Sequence, residues 1–365
     1  MALFKLKRRR LYRLASKIPG SDDELPFIGL AHKFTGTTEV VVDPVDVEVI
    51  LKTSLEKDDL HRFIRNVIGN GLIFAPVSIW RRRRKITVPA FSPKIVDTFM
   101  EVFAEQSEKL VSVLATCAGN GYIAMEPYLC RYTLDSVCET TMGITTNAQN
   151  NPNAPYLKAL KNILNLVCER IFHLWLQPDW LYKFFSQSKS HQKYTKEMQD
   201  VFGTSDRRIV KEDLSKLKYL ERIVKESLRL YPPGPFIIRK VLEDISLPSG
   251  RVFPAGSGAA VSIWGLHRDP KYWGPDAEVF DPDRFLPERF NLKHACSYIP
   301  FSSGPRNCIG YQYALMSMKT VLSAIVRRYK IMGEESGPVP HIKSKIDIMM
   351  KAVDDYKICL EKRFK

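Results

Sequence analysis

The sequence predicts a mainly α-helical chain with a small β-sheet region, and three observations carry that class. Apolar residues recur at helical spacing through long stretches of both halves. Short strand-like runs stand out only between 236 and 264, where Pro and Gly punctuate them. No internal repeat or low-complexity tract breaks the pattern. With 365 residues, 45% hydrophobic and 26% charged, the chain can bury a sizeable core and reads as globular, not disordered.

Taken in order, residues 1–20 form a basic N-terminal arm with no acid before Asp22. Its leucines and aromatics fit a solvated arm, a segment lying on an anionic membrane surface, or an organelle transit peptide. No apolar run approaches the roughly eighteen residues of a membrane span, so no transmembrane anchor is expected. Residues 92–116 read as a helix with Ile95, Phe99, Val102, Phe103, Leu110 and Leu114 as its stripe. Further helices are expected at 127–143 and 155–176, the latter ending at Gln177-Pro178. A polar segment, Ser186 to Lys193, follows. The strongest periodicity runs over 211–231 through Leu214, Leu217, Leu220, Ile223, Val224 and Leu228, and Tyr231-Pro232-Pro233-Gly234-Pro235 stops it. Strands are expected within 236–248 and 251–264, split by Pro248-Ser249-Gly250. An irregular segment then covers 269–307, and a last helix runs from about Gly310 to Tyr329.

The formal charge of +15 favours acidic partners: nucleic acid, an anionic membrane or an acidic protein. Seven cysteines at 117, 130, 138, 168, 296, 308 and 359 include no C-x-x-C pair, which argues against zinc and for mostly buried thiols in a reducing compartment. The densest charge is SIWRRRRKIT, Ser78 to Thr87, which on its own reads as an import signal, a nucleic-acid patch or a solvated face.

Two places in the second half concentrate chemistry. Glu226 and Arg229 sit three apart on a predicted helix; alone, they read as an ordinary surface pair. In PFSSGPRNCIG, Pro300 to Gly310, Cys308 ends a Gly/Pro-bearing loop just before a helix start. A helix N-terminus and the nearby Arg306 would both favour a thiolate, the axial ligand of one class of haem enzymes.

The ordered set E-x-x-R (Glu226, Arg229), P-D-R-F (Pro282 to Phe285) and F-x-x-G-x-R-x-C-x-G (Phe301, Gly304, Arg306, Cys308, Gly310) resembles the cytochrome P450 family of haem-thiolate monooxygenases. KYLERIVKESLRLYPPGPFIIRK, LHRDPKYWGPDAEVFDPDRFLPERF and LDSVCETTMG resemble its branch of fatty-acid ω-hydroxylases and insect detoxification enzymes. The resemblance implies the cytochrome P450 fold, in one domain over 21–365.

It also implies residue roles. Cys308 would ligate the iron of heme b (iron protoporphyrin IX), with Phe301 packing beside it and Gly304 and Gly310 permitting the tight loop. Glu226, Arg229 and Arg284 would form a buried structural triad, with Arg284 and not the Arg289 of the second P-E-R-F copy as its member. Trp80 and Arg84 match the family's W-x-x-x-R and, with Arg239 and Arg306, would bind the haem propionates. No residue is assigned a catalytic part. Arg81, Arg82 and Arg83 would face an NADPH-cytochrome P450 reductase that delivers NADPH-derived electrons, with cytochrome b5 as a further partner. An apolar small-molecule substrate (fatty acid, hormone or xenobiotic) would receive one oxygen atom of O2, at the cytosolic face of the endoplasmic reticulum membrane. Nucleic acid is not an expected partner.

Against the family pattern, the sequence departs in two internal places, near 39 and near 188. At the first, part of the opening β segment is missing. At the second, segments that flank the family's oxygen-binding central helix adjoin directly. Glu139-Thr140-Thr141 imitates that helix's acid–threonine pair but lies too early and is expected to be structural. The fold is therefore expected to be incomplete, with little hydroxylation by the chain as written. The alternative function is a non-catalytic haem-binding or interaction protein derived from a monooxygenase.

Overall fold

The structure, a computed structural model, describes residues 38–58, 61, 65, 69–152, 213–215, 217–332, 344–346, 349–352 and 356–363. The basic arm, the predicted 155–176 helix, Gln177-Pro178 and the Ser186–Lys193 segment lie outside the described residues. Among those described, the long helices are α1 Pro44–Thr53, α2 Val77–Thr87, α3 Met100–Leu114, α4 Glu126–Met142, α5 Lys218–Leu230 and α6 Tyr311–Arg328. The strands of two three-stranded sheets are β1 Thr38–Val41, β2 Tyr122–Ala124, β3 Phe236–Lys240, β4 Gly258–Ser262, β5 Tyr329–Met332 and β6 Lys357–Lys362. This is the mainly helical class with a small β portion. No helix of the described residues is long and apolar enough to cross a membrane.

Two compact units divide the chain. One comprises the described residues of Met1–Arg84, Leu228–Glu278 and Asn291–Cys308. Its sheet has the order β1-β4-β3, with β1 parallel to β4 (Val41 opposite Val261) and β3 antiparallel to it (Phe236 opposite Ser262). The central strand β4, GAAVS, is buried throughout, so small side chains suit its two covered faces. Asp43 caps α1 by accepting from the Val45 N–H at 3.0 Å, and Pro44 pre-sets the first turn. Val47, Ile50 and Leu51 then fall at helical spacing into a core with Val41, Phe253, Val261, Leu266, Cys296 and Ile299. Asp46, also buried, accepts from Ser249 N, Ser249 Oγ and Arg251 Nη2. Its charge is therefore paired, as burial demands.

Arg229 is fully buried in this unit. It donates to the carbonyls of His267 at 2.8 Å and Ala277 at 2.5 Å and lies over the Trp273 ring. His267 reciprocates through Nδ1 to the Arg229 carbonyl, and its Nε2 accepts from Ile299 N at 2.9 Å. Burial holds this imidazole neutral, with a pKa pushed down to about 3. It works as a two-ended pin that fixes the start of the 299–308 loop.

The other unit comprises the described residues of Lys85–Ser227, Val279–Phe290 and Ile309–Lys365. Its sheet runs β2-β6-β5, all antiparallel. Leu110, Val111 and Leu114 of α3, Tyr132 of α4 and Val321, Ala324 and Ile325 of α6 share one core with Tyr329 and Leu360. Gly143 ends α4 in the left-handed region at φ 65°, where a side chain would be strained. Glu226 is fully buried here, accepting from Asp281 N at 2.9 Å with Arg284 Nε 3.6 Å away. Arg284 is buried, whereas Arg289 pairs with Asp281 at the surface. Thr140 bonds the Ser136 carbonyl and Tyr313 Oη, and Glu139 accepts from Gln106. Packing absorbs both.

Several sequence expectations need correction. The 92–116 helix is two helices, Pro93–Thr98 and α3, joined at Phe99, and the first buries Val96 while Ile95 is exposed. The 211–231 helix begins only at Lys218, since 213–215 form a turn. The two strand regions each break into a longer strand and a two-residue one. Strands β2, β5 and β6 lay in no predicted strand. The surface reading of Glu226 and Arg229 fails outright, because both are fully buried. Of the six described cysteines only Cys138 and Cys296 are buried, and all six are free thiols.

Candidate cofactor-binding site

All of the predicted site residues except Gly310 fall in the first unit. α2 supplies two of them. Its first N–H, that of Val77, is capped by Glu56 Oε2 at 3.0 Å. The helical repeat then puts Trp80 and Arg84 on one face, with Trp80 buried and Arg81, Arg82 and Arg83 exposed. The Trp80 ring is a platform for two guanidiniums, Arg306 at 4.6 Å and Arg84 at 5.8 Å from its centroid.

The Cys308 loop is folded by its own backbone. Ser302 N donates to Ile299 O, Asn307 N to Gly304 O at 3.1 Å and Cys308 N to Phe301 O at 2.9 Å. Gly304 takes φ 73°, and a Cβ there would stand 2.7 Å from the Leu51 carbonyl oxygen, so the position admits only glycine without movement. Cys308 itself is solvent-exposed at the loop's end.

Beside this loop lies a concentration of buried cations. Arg239, on β3, is 1% exposed, and its Nε and Nη1 have no hydrogen-bond partner. Arg306 donates Nη2 to the Ala75 carbonyl, and its Nε and Nη1 are likewise unpartnered. Lys57 bridges to Arg239 through the backbone. Burial, then the charges of Arg239 and Arg306, push Lys57 down to about 7. Burial and Arg306 likewise lower Arg239 to about 10. Unpartnered buried guanidinium N–H groups cost free energy, and clustered like charges add to it. The donor set fits a ligand with two carboxylates, as haem has, and Cys308 presents an exposed sulfur that could meet its iron.

Three particulars add to or alter the expectations. Arg84 turns its Nη1 and Nη2 onto Asn307, a partner the sequence did not suggest. Arg306, read in the sequence as a cation for the Cys308 sulfur, donates to the Ala75 carbonyl and lies over the Trp80 ring. Gly310 has φ −99°, and a Cβ there would meet only ordinary contact with Phe91 at 3.7 Å, so the loop does not require it. Lys57 and Asn307 went unnoticed in the sequence. Lys57 stands among acids in LEKDD, a pattern that reads as surface, whereas it is half-buried and bridges to Arg239.

Comparisons with known proteins give the family. A family model described as Cytochrome P450 matches residues 32–194 and, in a second match, 189–360. Cytochrome P450 4V2 of Pongo abelii is 30% identical over 78% of this chain and 73% of its own length. Cytochrome P450 4d2 of Drosophila melanogaster is 28% identical, covering 88% of this chain and 83% of its own length. That alignment spans 430 positions, more than the 365 residues of the whole chain, so the fly protein carries stretches without a counterpart here. A solved cytochrome P450DA mutant heme domain superposes with a TM-score of 0.75 over 92% of each chain at 19% identity, which speaks to fold.

Proposed function

Because the chain belongs to the cytochrome P450 family of haem-dependent monooxygenases, and within it to the P450 4 type, we propose that Cys308 is its haem-iron ligand. Arg239, Arg306 and Lys57 then receive the two carboxylates, each of which gives an unpartnered N–H a charged acceptor. When bound, the haem supplies the activation of O2 needed to insert one oxygen atom into an apolar substrate. The protein contributes a fixed sulfur donor on a rigid loop, counter-charge for the carboxylates, and burial that keeps water from them. The exposed Arg81 and Arg82 suit an acidic reductase passing on electrons from NADPH, with cytochrome b5 as a second donor. Fatty acids, hormones and xenobiotics are the proposed substrate class, and the cytosolic face of the endoplasmic reticulum membrane the proposed location.

The observation that carries this reading is the pair of buried arginines with free donors in the same unit as the Cys308 loop. Titrating haem into the chain and recording the reduced carbon-monoxide spectrum tests it. The wild type gives a thiolate signature, and Cys308→Ser loses it while the remaining cysteines are intact. A signature that survives the substitution assigns the iron to another ligand.

A second reading has its own support. The two family matches meet at 189–194, where the central oxygen-binding helix is expected, and a relative's alignment outruns the chain. A chain that lacks that segment binds haem but turns over slowly, because proton delivery contributes about 10²–10⁴-fold. With reductase and NADPH, the chain is expected to form at least about a hundredfold less product than a version with a family central segment inserted at Ser188. Equal turnover by the two refutes this second reading.

A further inference from the structure

Arg84 and Asn307, 223 residues apart, meet in a two-point contact. Arg84 Nη1 donates to the Asn307 backbone oxygen at 2.8 Å, and Nη2 donates to the side-chain Oδ1. The backbone oxygen belongs to the peptide group that joins Asn307 to Cys308. The N–H of that same peptide group donates to Phe301 O at 2.9 Å. One rigid plane is thus held at both ends, by a cation on its oxygen and by a carbonyl on its N–H. Fixing this plane anchors Cys308 N and Cα, the backbone from which its sulfur projects.

We infer that Arg84 is a positioning residue acting through Asn307, a clasp that anchors the backbone carrying Cys308 Sγ. This rests on the reading of Cys308 as the iron ligand. A planar guanidinium can satisfy an amide oxygen and a backbone oxygen together, which a lysine ammonium on a flexible stem does poorly. Asn307 contributes the second leg, and aspartate at this position keeps an acceptor where alanine does not.

A double-mutant cycle on the full chain tests the clasp with two readouts. In the haem-free protein, hydrogen exchange of the peptide spanning Phe301–Cys308 is expected to quicken about tenfold or more in Arg84→Ala and in Asn307→Ala. The double variant is no faster than the faster single, and Asn307→Asp restores protection. In haem-loaded protein the thiolate share of the reduced carbon-monoxide spectrum falls in the same order. Arg239→Ala, by contrast, weakens haem affinity without changing that share. Wild-type exchange and spectrum in Asn307→Ala, or effects that simply add, overturn the clasp. If Cys308→Ser keeps the thiolate signature, the ligand reading falls, and the exchange cycle still judges the clasp by itself.

Discussion

Replacing Glu226 by alanine is expected to lower the unfolding free energy by about 3–5 kcal/mol, because it removes the fully buried carboxylate that faces Arg284 and caps the Asp281 N–H. The side chain is fully buried and receives the Asp281 N–H at 2.9 Å with Arg284 Nε at 3.6 Å. Glutamine at 226 keeps an acceptor for that N–H and is expected to cost less. Arg289→Ala, on the exposed side of Asp281, should stay within about 0.5 kcal/mol of wild type. Denaturant unfolding followed by far-UV circular dichroism measures all three. A Glu226→Ala loss below about 1 kcal/mol would mean that Arg284 has another adequate partner.

The second large effect belongs to Gly304→Ala. The new Cβ would sit 2.7 Å from the Leu51 oxygen and 3.1 Å from its carbonyl carbon, on a residue at φ 73°. Leaving the left-handed region or holding a side chain in it costs about 1–2 kcal/mol, and overpacking typically adds about 1–3. Leu51 cannot yield cheaply, since its side chain is fully buried in the core of its unit. The loop must therefore move, and it carries Cys308. Thermal melting should fall by several degrees and haem uptake should drop with it. Gly310→Ala serves as the contrast, with a change under about 1 kcal/mol, because φ −99° suits any residue. Equal melting temperatures for the two variants would remove the geometric argument.

How far the sequence could be read depended on whether a signal was local. The Cys308 loop is a contiguous string whose glycine and cysteine sit at fixed offsets, so it was legible before any fold was known. α4 and α6 were legible too, because 3.6-residue periodicity repeats within each helix. Phe99 broke the 92–116 expectation because a junction with both sides helical leaves the apolar spacing almost unchanged. β2, β5 and β6 are short strands stabilised by partners far away in sequence, such as Ile358 opposite Ile123. Three to six residues hold too little alternation to announce a strand. Lys57 shows the same limit at the site: its neighbours in sequence are charged, and its bridge to Arg239 of β3 is distant in sequence.

The cluster of Lys57, Arg239 and Arg306 has a consequence for how the chain matures. Three cations packed together repel one another, so the unit folds against its own field, whereas in the unfolded chain these charges lie apart in water. Any multivalent anion that reaches them binds the folded chain and has no equivalent place on the unfolded one. By mass action such a counterion stabilises the fold by RT ln(1 + [L]/Kd), about 2.7 kcal/mol at a hundredfold excess over Kd. The ionic composition of the medium thereby enters the folding equilibrium, and on the proposed reading a dicarboxylate cofactor would compete with those anions. For this unit, maturation and counterion exchange are a single thermodynamic step.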